Sequence, residues 1–153
     1  MKKNTNKIRA KGVWKFTLED IITGEKIIKI YENIITMSGL ALLMASLTDN
    51  APACSNLITH AVLGSDDTAV SESDTALGTE TYRNAIASRT SADNVAYLTA
   101  FFSAPECSGT YKEAGLIIDG GGEDVLFNHV NIDIVKTLTQ KLTIDTTITI
   151  LND

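Results

Sequence analysis

Two histidines, a short run of carboxylates and a triple glycine are the residues of this 153-residue chain whose types suggest chemistry. His60 and His129 are its only histidines, and each falls inside a strand-like run. Neither has a cysteine or carboxylate beside it at ligand spacing, so each is expected to be a packed or edge histidine rather than a metal ligand. A Ser-His-Asp triad would need a nucleophile elbow of the G-x-S-x-G type, and none is present. The loop Ser65 to Asp74 gathers Asp66, Asp67, Glu72 and Asp74. Clustered carboxylates can hold calcium through oxygen ligands, but this spacing is not that of an EF-hand loop. The loop is expected to be solvated surface, with a subunit contact or a weak cation site as the alternatives. Gly120-Gly121-Gly122 lacks the Gly-Lys-Ser/Thr and helix start of a phosphate cradle, and is expected to be a hairpin tip. No catalytic residue, metal ligand or cofactor follows from these groups.

The elements that would position them are mostly strands. Val13 to Glu19 alternates, with Trp14, Phe16 and Leu18 on one face, the period of a half-buried strand. Lys26 to Glu32 is a second β-rich run, so residues 13 to 32 are expected to form a hairpin. Thr36 is a good N-cap for Met37 to Leu47, where Leu40, Leu43, Met44 and Leu47 follow helical spacing. The near-continuous apolarity of that helix predicts burial on more than one side, against a sheet or against another copy. Strand-like runs follow at residues 57–63, 81–90, 95–103, 112–118, 125–134 and 138–151, separated by turn-rich spacers. The last is expected to put Leu138, Gln140, Leu142, Ile144, Thr146, Ile148 and Ile150 on one face. Tyr82, Tyr97, Phe101 and Phe102 fall inside strands and lack the basic neighbours of a single-strand stacking platform. The expected fold is mainly β: an antiparallel β-sandwich with one buried α-helix near residues 37–47 and an N-terminal β-hairpin.

Length allows one domain, and 44% hydrophobic against 21% charged residues with only two prolines describes an ordered, soluble chain. Lys2, Lys3, Lys7, Arg9 and Lys11 place five of thirteen basic residues in the first eleven positions. The remainder carries eight basic residues against nineteen acidic ones, so a basic flexible arm at 1–12 is expected ahead of an acidic sandwich domain at 13–153. Such a body repels nucleic acid, while the arm suits a neighbouring copy or an acidic partner. The apolar run 34–47 is too short to cross a bilayer. It sits too far from the N-terminus for a signal peptide, and the mature chain is expected to start near Met1. Cys54 and Cys107 lie in similar pentapeptides, APACS and APECS, and are expected to be free thiols rather than a disulfide framework.

The order of the pieces carries a resemblance. An N-terminal FTLED..TGEK hairpin and a helix opener NIITMSGLALL are followed by ITHAVLGSDDTAV, SDTALGTETYR, TAFFSAPECSGTYKEAGL and TLTQKLTIDTTITI. Together they resemble small tailed-bacteriophage structural proteins, similar to the N-terminal attachment domain of tail-collar or tail-fibre proteins, across about residues 30 to 151. The match is most specific at Ile58 to Gly64, Asp74 to Arg83 and Glu113 to Leu116. No fibre shaft follows before Asp153, which suits a short collar, baseplate, adaptor or capsid-surface component. The resemblance implies architectural rather than catalytic positions. Glu80 and Arg83 are expected to pair at a strand entry, and Glu113 to bind backbone amides in a turn.

The function implied is that of a non-enzymatic virion protein, made in the host cytoplasm, which self-associates and docks on other virion proteins. A trimer is favoured by analogy. Head-fibre or capsid-decoration roles are the alternative within that class. A carbohydrate-binding β-sandwich module and a hydrolase are the other classes, the first calling for exposed aromatics in loops and the second for a nucleophile beside a histidine.

Overall fold

The computed structural model describes residues 8–48, 57–119 and 122–152. In chain order the elements are β1 (Ile8–Asp20), β2 (Lys26–Ile35), α1 (Met37–Leu47), β3 (His60–Gly64), β4 (Glu80–Ala92), β5 (Val95–Phe102), β6 (Gly109–Asp119), β7 (Asp124–Lys136) and β8 (Gln140–Asn152). Among the described residues these strands form a closed antiparallel barrel in the order β1-β2-β7-β6-β3-β4-β5-β8, with β8 returning to β1. The fold is mainly β, but the expected β-sandwich is incorrect. Two corners make the difference. β4 pairs with β3 through Ala85, then bends at a bulge between Ile86 and Ser88 and continues along β5. β2 pairs with β1 over Lys26 to Asn33, then turns Ile34 and Ile35 onto β7. Strands that change sheets at a bulge or bend convert two facing sheets into a closed one, while the inward alternation along each strand stays the same.

The alternation fills the interior. Trp14, Phe16 and Leu18 of β1 face Leu142, Ile144 and Ile148 of β8, with Leu98, Ala100 and Phe102 of β5 beyond them, all buried. Phe16 stacks on Trp14 and meets Tyr31 edge-on, each with ring centroids 5.7 Å apart. β8 is central, with long pairings to β1 on one side and β5 on the other. Leu138, expected on its inner face, precedes it in the β7–β8 turn and is exposed.

Helix α1 begins where Thr36 predicts. The Thr36 side chain accepts from the Gly39 amide at 3.1 Å and donates to the Leu126 carbonyl, tying the cap to β7. A Cβ on Gly39 would lie 2.6 Å from the Phe127 carbonyl, so only glycine lets the helix lie this close to the strand. Within the chain the helix is not buried on more than one side, contrary to the expectation of a buried helix. Only Gly39 and Leu42 are buried, while Met44 is 59% and Leu47 77% exposed. Leu40 and Leu43 are half-buried against the barrel, while Met37, Met44 and Leu47 face outward.

Strand β1 starts at Ile8 and pairs with β8 from there, so Arg9 and Lys11 belong to the barrel wall. Lys2, Lys3 and Lys7 lie outside the described residues. No helix among the described residues is long and apolar enough to cross a membrane.

Candidate functional site

The densest polar cluster lies on the outer face of β3, β6 and β7, beneath the segment that joins β3 to β4. That segment, residues 65–79, lies across the sheet as a strap. Leu77 packs with Val62, Ile117 and Leu126 into a small apolar cluster outside the barrel wall. Glu113 of β6, 1% exposed, projects into the strap. Its carboxylate accepts from the amides of Thr79 at 2.7 Å, Gly78 at 2.9 Å and Asp66 at 3.3 Å. His129 of β7 approaches the same carboxylate with Nε2 at 2.9 Å, and its Nδ1 lies 2.7 Å from Asp74 of the strap. Asn131 secures the middle, accepting from the Val70 amide and donating to the Thr68 carbonyl. Further along, the Glu72 carbonyl accepts from the Met37 amide at the start of α1.

Glycines make this arrangement fit. Gly115 sits opposite His129 in the β6–β7 register, and a Cβ there would press on Leu126 and on the Asn128 carbonyl at 2.9 Å. A Cβ on Gly64 would strike the Glu113 carboxylate and lie 2.6 Å from the Thr79 carbonyl. The three fragments that carried the resemblance most specifically therefore meet here: Leu63-Gly64, Ala76-Leu77-Gly78-Thr79 and Glu113-Ala114-Gly115 form one unit around the Glu113 carboxylate.

Both ring nitrogens of His129 face carboxylate oxygens. A buried carboxylate with three amide donors and a facing imidazole has its desolvation offset locally. The same geometry leaves His129 no free nitrogen with which to take a proton from a substrate. Asp74 and Glu113 stand on opposite sides of the ring, so they do not converge on a point where a cation would sit. Among the described residues no cluster of His, Cys, Asp or Glu has metal-binding geometry. The site fastens a loop.

Arg83 of β4 grips Glu80 through Nε at 2.6 Å and Nη2 at 2.9 Å, and Nη1 reaches Asp124 across the sheet at 2.9 Å. Hydrogen bonding to Glu80 and the nearby Asp124 raise the Arg83 pKa further, against burial. Lys11 pairs with Glu32 of β2 at 2.7 Å. His60 is half-buried with Nδ1 2.9 Å from the Thr59 hydroxyl. In the acidic loop, Asp66 accepts from the amide and hydroxyl of Thr68, and the latter bond holds its carboxyl below the usual range.

A second polar group joins the end of β7 to the β5–β6 connection. Lys136 is 2% exposed, with Nζ donating to the carbonyls of Ala104 at 2.9 Å and Glu106 at 2.6 Å. Burial lowers its pKa. Cys107 is buried nearby, its carbonyl accepting from the Tyr111 hydroxyl at 2.6 Å, and burial pushes its thiol up to about 11. Cys54 lies outside the described residues. An apolar cavity of about 310 Å³ opens between α1 and the β4–β5 turn, lined by Leu42, Leu43, Val95, Phe127 and Ile148 among others.

Sequence reasoning set His60 and His129 aside, and it missed the union of His129 with Glu113 and Asp74. A signal existed for part of it: a hairpin closing near Gly120-Gly121-Gly122 places residues 113 to 115 against 129 to 131. The Asp74 contact, 55 positions away, depends on the strap and has no local signal. Comparisons of the chain with protein-family models, with curated proteins and with solved structures found no match in any of the three.

Proposed function

We propose that this chain is a non-enzymatic structural protein that acts by self-association and by docking on a larger particle, the tailed-phage virion being the setting its motif order points to. The observation that carries this reading is the concentration of exposed isoleucines along one side of the barrel. Ile21, Ile22, Ile28 and Ile30 are 61%, 77%, 53% and 64% exposed on the β1–β2 turn and β2. Side chains of this size grouped on a strand and its turn form the kind of surface that another protein covers. The polar cluster around Glu113 fastens a loop and presents no nucleophile, which suits an architectural part. Collar, fibre attachment and capsid decoration are all consistent with such a module.

Light scattering coupled to size-exclusion chromatography tests the first half. Particles of two or more 16.5 kDa chains are expected. A strict monomer at the highest attainable concentration would overturn the reading. Gold-labelled antibody against the chain is expected to decorate intact phage particles, and label confined to soluble fractions would remove the virion setting.

A further inference from the structure

The barrel closes between β2 and β7 through a short ladder. β2 joins β7 only through Ile34 and Ile35, whereas Lys26 to Asn33 pair with β1 alone. Side chains span the gap instead: Lys29 Nζ donates to the Asp133 carbonyl, and the Asp133 amide donates to the Tyr31 hydroxyl at 3.1 Å. The Asp20 amide bonds the Glu25 carbonyl at 2.9 Å, which sets the phase of the β1–β2 ladder. In that phase the odd-numbered residues of β2 direct their backbone groups at β1. Lys26, Ile28, Ile30 and Glu32 direct theirs at the open edge.

These same four residues form the outer row of the strand, and the row is its own complement. Reversed end to end, charge, isoleucine, isoleucine, opposite charge meets its match at every position. Resting on the self-association reading, we infer that two copies join edge to edge through β2, antiparallel about a two-fold axis at Lys29. Lys26 then faces Glu32 of the second copy, and Ile28 faces Ile30, each twice by symmetry. All four positions present backbone N–H and C=O groups to one another as hydrogen-bonded pairs, and the pairing extends one sheet across both barrels. Lys29 meets Lys29 of the second copy on the inner side, where each ammonium is already directed at its own Asp133 carbonyl. Lys26 and Glu32 now contact Glu19 at 3.6 Å and Lys11 at 2.7 Å, exposed pairs that hold them weakly.

Charge reversal tests the register. Lys26→Glu and Glu32→Lys each set like charges against one another twice in a self-pair, and each is expected to weaken dimerisation at least about tenfold. An equimolar mixture of the two variants restores opposite charges at both contacts and is expected to recover dimer within about threefold of the wild type. Circular dichroism checks that each variant folds, and Ile30→Thr, which keeps strand propensity, is expected to weaken association without any charge change. Wild-type association that neither reversal disturbs, or a mixture that fails to recover, would overturn the β2 pairing while leaving self-association in place. A trimeric mass indifferent to the reversals would do the same. A monomeric wild type would overturn both.

Discussion

Replacing Glu113 with alanine removes the one carboxylate to which the strap's two ends are bonded. Four partners lose their acceptor: the amides of Thr79, Gly78 and Asp66, and Nε2 of His129, at 2.7 to 3.3 Å. Hydrogen bonds to a charged group contribute about 1.5 to 3 kcal/mol each, and a bare sum would overshoot. The strap is exposed at Gly78 and Thr79, so those amides can reach water once the strap lifts. His129 is only 5% exposed and cannot, so its Nε2 is left facing an emptied site. Breaking a buried pair in this way costs about 3 to 5 kcal/mol. For a chain of this length that corresponds to a melting temperature roughly 6 to 20 °C lower. Urea unfolding followed by circular dichroism measures the loss. Glu113→Gln keeps the shape but turns an NH₂ toward donors, and is expected to lose about half as much. A double-mutant cycle with His129→Ala should return a coupling of at least about 1 kcal/mol. A loss below about 1 kcal/mol for Glu113→Ala, or additive single changes, would refute the view that this carboxylate holds the strap.

Arg83→Ala should lower stability by about 1 kcal/mol, because its partners Glu80 and Asp124 are each about a third exposed and water screens the pairs; denaturant titration reads this directly. Alkaline pH should destabilise the protein through Cys107. Its folded pKa, about 11, lies above the usual 9, so burial of the neutral thiol contributes stability that is complete below pH 9 and is lost as pH rises toward 11. The loss is on the order of 2 kcal/mol, and Cys107→Ala should remove that part of the slope in melting curves taken from pH 8 to 11. Tyr111, raised by burial, adds a loss of the same sign, while Lys136, lowered by burial, acts oppositely.

Local elements were legible because their causes are local. Trp14, Phe16 and Leu18 alternate and are buried together, and Thr36 caps the helix as its side chain requires. The barrel was not legible, because closure depends on the bend at Ile86 to Ser88 and the two-residue handover at Ile34 and Ile35. An alternating strand buries the same residues whether its sheet is open or closed. The helix misled for a related reason: a run such as LALLMASL records apolarity without saying how much of it a neighbour covers. In the polar site, Glu113 was singled out through its motif, whereas His129 was dismissed for lack of neighbours in sequence. Its neighbours arrive through hairpin register and through the strap.

The position of β8 has a consequence for the birth of the molecule. This strand lies between β1 and β5, and Phe16 and Ala100 both pair with its Ile144. A nascent chain therefore makes all of β2 to β7 before β1 meets its second neighbour. Until then β1 and β5 each offer an unpaired edge, and their buried aromatics lack the wall that shields them. β8 is the strand that closes the ring. Chains interrupted before it are expected to fail as a whole rather than in part, because the contacts that close the ring are among the longest in sequence and among the slowest to form.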